Sequence, residues 1–445
     1  MFTSLLSIPL LASLLSITTQ SHLVSAAPTS NSHWNQTLEA RQGVNTGFPY
    51  GSEKVRGVNL GGWLLLEPFI TPSIFDPLDG SIVDEYTFGQ NQDRGAAEGR
   101  LRQHWDSWIT RDDFYQIRAA GLNHVRLPIG YWAFVSADEA YPYITGSKEY
   151  LYRAISWARE TGLKVIIDLH GAPGSQNGFD NSGQRGSANW GYNQGDVQRT
   201  KEIVEGISRE FSDPQYYGVV TALAILNEPA GFTSSSYLAT TRQFTIDAFY
   251  AARYPWASQG NNAKSGLLII YSDAFQPSNY WNGVFNYPDA TDVALDNHVY
   301  QVFSPAENQR SWGEHLTSAC NSGGNLRASP NWPIVGEWSL AVYDCARWLN
   351  GRGIGARYDG SYPGSYYIGS CGEWNTGSGQ GFSNEYKTFL RDYFDTQTQT
   401  WENNGQGWIY WSWKMENAAE WSYQAGLNGG WIPYNPTEHN GYKCS

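Results

Sequence analysis

Eight short, largely apolar runs punctuate the chain from residue 55 onward, at 55–65, 124–131, 164–171, 220–228, 267–272, 293–302, 333–338 and 407–413. Runs of this length that do not alternate with polar residues predict strands buried on both faces, as in a parallel sheet. The segments between them change to helical spacing. Leu101, Trp105 and Trp108 recur a turn apart, Thr110 and Asp113 make a capping box, and Phe114 and Ile117 carry the stripe to a stop at Gly121. Ile203, Val204, Ile207 and Phe211 form a second stripe, and Tyr386, Phe389, Leu390 and Tyr393 a third. No linker, charge run or repeat interrupts this order. Strands alternating with helices predict an α/β fold, a single (β/α)8 TIM barrel spanning 46–445.

In such a barrel the chemistry sits where the strands end, so polar residues closing each run are the first candidates. The first run leads to Glu67 and the second contains Arg126. The third ends Asp168-Leu169-His170-Gly171, and the fourth ends Asn227-Glu228-Pro229. The sixth carries His298 and Tyr300, Glu337 closes the seventh, and Trp411 and Trp413 close the eighth. Glu228 and Glu337 each follow an apolar strand, where a carboxylate is costly unless hydrogen-bonded. Cleaving a glycosidic bond takes two carboxyls flanking one carbon, an acid for the leaving oxygen and a partner that attacks or activates water. On strands four and seven, Glu228 as acid/base and Glu337 as nucleophile would face each other across the mouth, about 5–5.5 Å apart in a retaining enzyme. Paired structural glutamates are the plainer alternative.

Composition narrows the partners. A net charge of −13 disfavours nucleic acid and anionic membranes, and no run has the roughly 18 apolar residues of a membrane span once the N-terminus is set aside. Residues 1–26, apolar and ending in Val24-Ser25-Ala26-Ala27, read as a secretory signal peptide although they lack a basic start. Residues 27–45 read as a polar tail or pro-segment, with a glycosylation sequon at Asn35 and a possible processing site at Arg41. Cys320, Cys345, Cys371 and Cys444 suit the oxidising compartment this implies. Four cysteines allow three pairings, and none has zinc-site spacing. Neither a metal nor an organic cofactor is expected.

The motifs together resemble one family. Arg56-Gly57-Val58-Asn59-Leu60-Gly61-Gly62-Trp63-Leu64, Asp168 through Gly178, Asn227-Glu228-Pro229, Glu337-Trp338 and Trp411-Ser412-Trp413-Lys414 occur in order over residues 50–444. They resemble the fungal exo-β-1,3-glucanases of glycoside hydrolase family 5. The resemblance implies that Asn227 bonds the sugar 2-OH and that Arg126 holds Glu337 ionised. His170, His298 and Tyr300 would orient the glutamates and the terminal glucose, Glu67 would bind hydroxyls deep in the pocket, and Trp411 would floor the first sugar site. Phe179 and Phe303 match an aromatic entrance, with Asp180, Asn181 and Arg357 as further sugar contacts. A second arginine usual in the loop after the seventh strand is here displaced to Arg352 or lost. The resemblance also implies pairing Cys345 with Cys371 and Cys320 with Cys444.

The expected activity is stepwise release of glucose from non-reducing ends of β-1,3-glucan with retention, by a secreted, monomeric enzyme. Transglycosylation is compatible with the same intermediate. An endo-acting or β-1,6-specific glucanase on the same barrel is the near alternative. A silent glucan-binding wall protein is the distant one, and the presence of both carboxylates counts against it.

Overall fold

The computed structural model describes residues 46–286, 289–373, 376–441 and 444. The expected signal peptide, the polar tail and Asn35 lie outside the described residues. Eight strands run in sequence order round a closed barrel. They are β1 (Val55–Asn59), β2 (His124–Gly130), β3 (Lys164–Gly171), β4 (Val220–Ala224), β5 (Leu268–Ser272), β6 (Val293–Val299), β7 (Trp332–Trp338) and β8 (Gly407–Tyr410). All neighbours are parallel, including the closing pair β1 and β8.

Parallel neighbours require crossovers. The principal ones are the helices Arg111–Ala119, Ser147–Thr161, Gln194–Phe211, Ser235–Arg253, Trp312–Arg327 and Asn384–Asn404. Between β5 and β6 the described residues contain only the short 3-10 turn Ser278–Trp281. The first predicted stripe divides into two helices, Arg94–Ser107 and Arg111–Ala119. The break falls at Thr110, whose backbone N–H donates to the Asp113 carboxylate at 2.8 Å. Asp113 then also accepts the Trp413 indole at 2.8 Å and Lys414 at 3.0 Å. Trp413 is therefore a fully buried tie between the chain after β8 and a helix, and not part of the barrel mouth.

Alternation of side chains along each strand separates two cores. Ile166, Ala222, Ala224, Leu268, Ile270, Ala294, Ile334 and Ile409 share one buried cluster inside the barrel with Phe48 and Tyr50. Their neighbours Ile167, Leu223, Ile269, Leu295, Val335 and Trp408 belong to the larger core beneath the helices. Phe48 and Tyr50 plug the end where the strands begin. Tyr50 bonds Thr221 at 2.8 Å, and Phe48 packs edge-on to the His124 ring at 4.5 Å.

Five strands stop short of the predicted runs, at Asn59, Gly130, Ala224, Val299 and Tyr410. The apolar pattern continues past each because the chain stays buried while leaving the ladder to shape the opposite, open end. Disulfides join Cys320 to Cys444 and Cys345 to Cys371, tying the C-terminus to the helix Trp312–Arg327 and closing the long loop after β7. Among the described residues no helix is long and apolar enough to cross a membrane.

Candidate active site

The inward register that puts Ile166 in the barrel core puts Asp168 and His170, two and four residues on, in line above it. Arg126 on β2 is in register with Ile166, and its long, almost wholly buried side chain reaches up to the level of Asp168. Its Nη1 donates to Asn59 Oδ1 at 2.9 Å and Glu337 Oε1 at 2.8 Å. Its Nη2 donates to Asn227 Oδ1 at 2.8 Å and lies 3.1 Å from Asp168 Oδ2. Burial works against this cation, but the charges of Asp168, Glu337 and Asp296 outweigh it and hold the guanidinium protonated. His170 Nδ1 lies 2.6 Å from Asp168 Oδ2, and its Nε2 faces the Asn227 amide at 3.3 Å. The carboxylate therefore accepts the hydrogen bond from Nδ1–H, leaving Nε2 to accept from the Asn227 amide.

Glu228 sits just beyond β4 with φ of +44°, a strained conformation for a side-chain-bearing residue. Its Oε1 lies 2.7 Å from His298 Nδ1, and its Oε2 accepts the Asn181 amide at 3.2 Å. Glu337 lies within β7, and its second oxygen accepts the Tyr300 hydroxyl at 2.9 Å. A register shift in β6 between Asn297 and His298 aligns His298 with Glu337, so His298 Nδ1 also lies 3.4 Å from Glu337 Oε2. Asp296 backs the imidazole from the other side, 3.4 Å from Nε2, and accepts the Gly336 N–H at 2.7 Å. Only glycine fits at 336, because a Cβ would stand 2.2 Å from the Asp296 carboxylate. One oxygen of Glu228, one of Glu337 and a nitrogen of His298 all lie within 4.8 Å of one another.

The charges in this cluster are coupled. Burial raises Glu337, more than the His298 and Arg126 cations lower it. Burial also pushes Glu228 up, but the hydrogen bond and charge of His298 more than offset it. For His298, burial disfavours the cation, while Glu337, Asp296 and Glu228 outweigh burial and hold it protonated well above the ordinary imidazole range. A proton between His298 Nδ1 and Glu228 Oε1 thus belongs to the pair, and the ion pair and the neutral pair are two placements of it.

Two further carboxyls wall the pocket. Buried Glu67 is raised well above its usual range, first by burial and then by the charges of Asp180 and Glu337. Asp180 is raised to about 7 by burial, against the pull of Arg185. Glu67 Oε1 and Asp180 Oδ2 are enclosed without a hydrogen-bond partner among the described residues. Buried Trp411 lies parallel to His170, 15° between planes and 5.6 Å between centroids. Phe179 and Phe303 stand exposed at the mouth, Phe303 edge-on to Tyr300 at 5.5 Å.

The two arginines of the loop after β7 behave differently from the rest. Arg357 is bound to Asn350 at 2.6 Å and Asp344 at 3.1 Å, with its guanidinium 3.9 Å over Tyr362, and touches neither glutamate. Arg352 donates to the carbonyls of Leu78, Asp79 and Ile82, so it anchors a loop and does not replace the displaced arginine at the sugar pocket. Sequence reading assigned no role to Gln176 or Asp296. Gln176 bonds the carbonyls of His170 at 2.7 Å and Asn227 at 3.0 Å, clamping the loops after β3 and β4 together. Asp296 was findable, since it sits two residues before His298 in one strand.

The three-ligand geometry of Glu228, His298 and Glu337 is also that of a small cation site. Here, however, His298 already bridges the carboxylates, and Arg126 neutralises Glu337 at 2.8 Å. The donors are spent on each other, which suits proton transfer and nucleophilic attack better than metal ligation.

Comparison with known proteins accords with this geometry. The family model described as Cellulase (glycosyl hydrolase family 5) matches residues 92–417. A protein of Schwanniomyces occidentalis named glucan 1,3-beta-glucosidase is 44% identical over 420 residues, covering 93% of this chain and 93% of its own. One of Blumeria graminis with the same name is 43% identical over 402 residues, covering 89% and 90%. Among solved structures, rutinosidase from Aspergillus niger has a TM-score of 0.64 at 20% identity over 86% of this chain and 99% of that one, a likeness of fold alone. With a family model spanning most of the barrel and relatives similar over about nine-tenths of both chains, the chain belongs to glycosyl hydrolase family 5.

Proposed function

We propose that this is a secreted retaining glucosidase that removes glucose from the non-reducing ends of β-1,3-glucan, with Glu337 as nucleophile and Glu228 as acid/base. The observation that carries the reading is the pair of carboxylates, with an oxygen of each within 4.8 Å. That spacing fits the retaining class at about 5–5.5 Å and leaves no room for the water that inverting enzymes seat across about 6.5–9.5 Å. Their surroundings support the division of labour. Arg126 and Tyr300 both donate to Glu337, as an ionised nucleophile requires, whereas Glu228 shares a proton with His298.

In the first step a Glu337 oxygen attacks the anomeric carbon, the glucosidic C–O bond breaks, and the proton of Glu228 passes to the leaving oxygen. As Glu337 becomes an ester it loses its charge, which weakens one of the attractions holding the shared proton on His298 and favours its presence on Glu228. In the second step water gives a proton to Glu228 and its oxygen displaces Glu337 from the sugar. Another sugar hydroxyl in place of water gives transglycosylation. Asn227, held by Arg126 and His170, is available to the 2-OH, and the unpaired oxygens of Glu67 and Asp180 to hydroxyls of the terminal glucose. The glucan substrate follows the named activity of the relatives, and two disulfides accord with secretion.

Digestion of linear β-1,3-glucan, followed by proton NMR, tests this directly. The first product is β-glucose, without early oligosaccharides. Initial α-glucose would overturn retention, and early oligomers would overturn exo action in favour of an endo-glucanase.

The pH profile follows from the same charges. The acid limb of kcat/KM reports protonation of Glu337, and burial places it above the ordinary glutamate value of about 4.3. The alkaline limb reports loss of the last proton of the Glu228–His298 pair and lies above the ordinary imidazole value of about 6.5. In His298→Asn that proton has only Glu228 to hold it, so the alkaline limb moves to lower pH. An alkaline limb that stays in place would show that His298 does not share the catalytic proton.

A further inference from the structure

We propose that Glu85, a carboxyl buried outside the sugar pocket, is a positioning residue that fixes Glu67 against Asp180 and so sets how selectively the pocket takes the hydroxyls of the terminal glucose. The proposal rests on the functional reading above and extends it to what holds the pocket wall in place. Glu85 is 1% exposed and opens the short helix Glu85–Gln90 in the loop after β1. Its Oε2 accepts the Leu66 N–H at 2.7 Å, and its Oε1 accepts the Trp132 indole N–H at 2.9 Å. Among the described residues no cation stands against it. Carboxyls are rarely buried without a charged partner, which points to the geometry this one imposes. Burial raises it to about 8 against the two bonds, but either protonation state leaves a lone pair on each oxygen to accept them. The bridge does not depend on charge.

Each end of the bridge leads to one wall of the pocket. Leu66 directly precedes Glu67, whose own carbonyl accepts the N–H groups of Ile70 and Thr71 at 3.1 and 3.3 Å. The backbone is thus held on both sides of Glu67, and the side chain reaches the pocket from a fixed root. Trp132 follows β2, with its ring packed flat on Tyr143 at 3.9 Å. That ring is a wedge between β2, β3 and the loop after β3. A Cβ at Gly130 would stand 2.2 Å from it, one at Gly183 2.3 Å and one at Gly171 2.9 Å. Gly183 ends the turn Asp180–Ser182. The neighbours of Glu85 grip the same turn from the other side. Tyr86 N–H donates to the Gly183 carbonyl at 2.8 Å, and Asp84 Oδ2 accepts the Arg185 N–H at 2.6 Å.

Glu67 and Asp180 therefore hang from one scaffold, and Glu85 joins its two halves. Each carboxyl has an enclosed oxygen without a partner among the described residues. After burial, the charge of Asp180 is what most raises Glu67, so the two stand close. Acceptors on fixed roots bond hydroxyls only at set positions. Such a site rejects a sugar that lacks one of them, because the acceptor is left buried and unpaired. Loosening a root lets its acceptor relax toward other groups, and the rejection weakens.

The test measures kcat/KM on an aryl β-glucoside and its 3-, 4- and 6-deoxy analogues. The proteins are the wild type, Glu85→Gln, Trp132→Phe and the control Glu139→Gln, an exposed cap in the segment after β2. The readout is the glucoside-to-deoxy ratio for the analogue that the wild type rejects most. The glutamine amide can serve one N–H but turns its own N–H on the other. Glu85→Gln is expected to lower the ratio about tenfold, the scale of one hydrogen bond. Trp132→Phe keeps an aromatic wedge but removes one N–H, so it lowers the ratio about threefold. Glu139→Gln leaves it unaltered. Any effect on Glu228 through Asn181 lowers every substrate alike and cancels. Variants that are folded by near-UV circular dichroism and keep the wild-type ratio, whether or not kcat/KM itself falls, would overturn the proposal. A wild type that accepts all the analogues equally would do the same. Should Glu85→Gln fail to fold, the Trp132→Phe ratio decides. A wild type that hydrolyses no β-glucoside would instead overturn the function proposed above.

Discussion

Glu337→Gln is expected to lower kcat on β-1,3-glucan by about a thousandfold or more, the scale on which nucleophilic catalysis contributes. The amide is nearly isosteric, so the cost is chemical. It cannot attack the anomeric carbon, and its N–H group faces donors, Arg126 and Tyr300, that are placed to hold an anion. The fold should tolerate the change because Arg126 keeps Asp168 at 3.1 Å as a counter-charge. Glu228→Gln should lose comparably on glucan but respond differently to the leaving group. An aryl β-glucoside with an acidic phenol needs little protonation, so its first step persists, the glucosyl-enzyme accumulates, and azide accelerates turnover by yielding β-glucosyl azide. Steady-state kinetics on both substrates, with and without azide, separate the two roles. Azide rescue of Glu337→Gln giving the β-azide, or near-wild-type activity of either variant, would overturn the assignments.

Arg126→Met is expected to be the most destabilising single substitution in the barrel, by about 3–5 kcal/mol, the usual cost of stripping one partner from a buried ion pair. The guanidinium serves Asn59, Asn227, Asp168 and Glu337 together, all within 3.1 Å. Methionine fills much of its volume but leaves both carboxylates uncompensated. In a protein of this size the loss corresponds to a fall in Tm of roughly 5 °C by calorimetry. Arg126→Lys keeps the charge without the planar fork, so it should recover part of the loss and none of the geometry. Without Arg126 the Glu337 carboxyl is raised further. A carboxyl whose folded pKa exceeds its unfolded value destabilises above that pKa and is relieved as pH falls through it. The stability gap between Arg126→Met and the wild type should therefore be widest near neutrality and narrow toward acid. A gap that is constant with pH would mean that the arginine acts through packing alone.

How far the primary structure reaches is visible in particular residues. Strands flanked by helices have to be apolar on both faces, and a carboxylate that closes such a strand stands out against its neighbours. That is why eight strands, Glu228, Glu337, Arg126 and His298 were legible before any coordinates. The strand ends were less so, because chain leaving the ladder at Asn59, Gly130, Ala224, Val299 and Tyr410 stays as buried as the strand it leaves. Trp413 resembled Trp411 on paper, and regular alternation would put both on one face, but the chain leaves the ladder at Tyr410, so one ring turns out to Asp113 and the other stays beside His170. Arg352 was readable as a displaced sugar contact until the loop turned it toward three backbone carbonyls.

Taken alone, the order of apolar and polar positions determined the barrel, its helical layer and which residues could carry charge at its open end, since burial of each element is a local demand on its own side chains. Tertiary structure decided everything that depends on which strands close on which. It set the meeting of Arg126 with Glu337 across 211 positions of chain, the β6 shift that brings His298 between two carboxylates, and the bridge from Glu85 to Leu66 and Trp132. These depend on ring closure, on one irregular hydrogen-bond register and on the approach of two loops, and none of them is a property of a residue and its sequence neighbours.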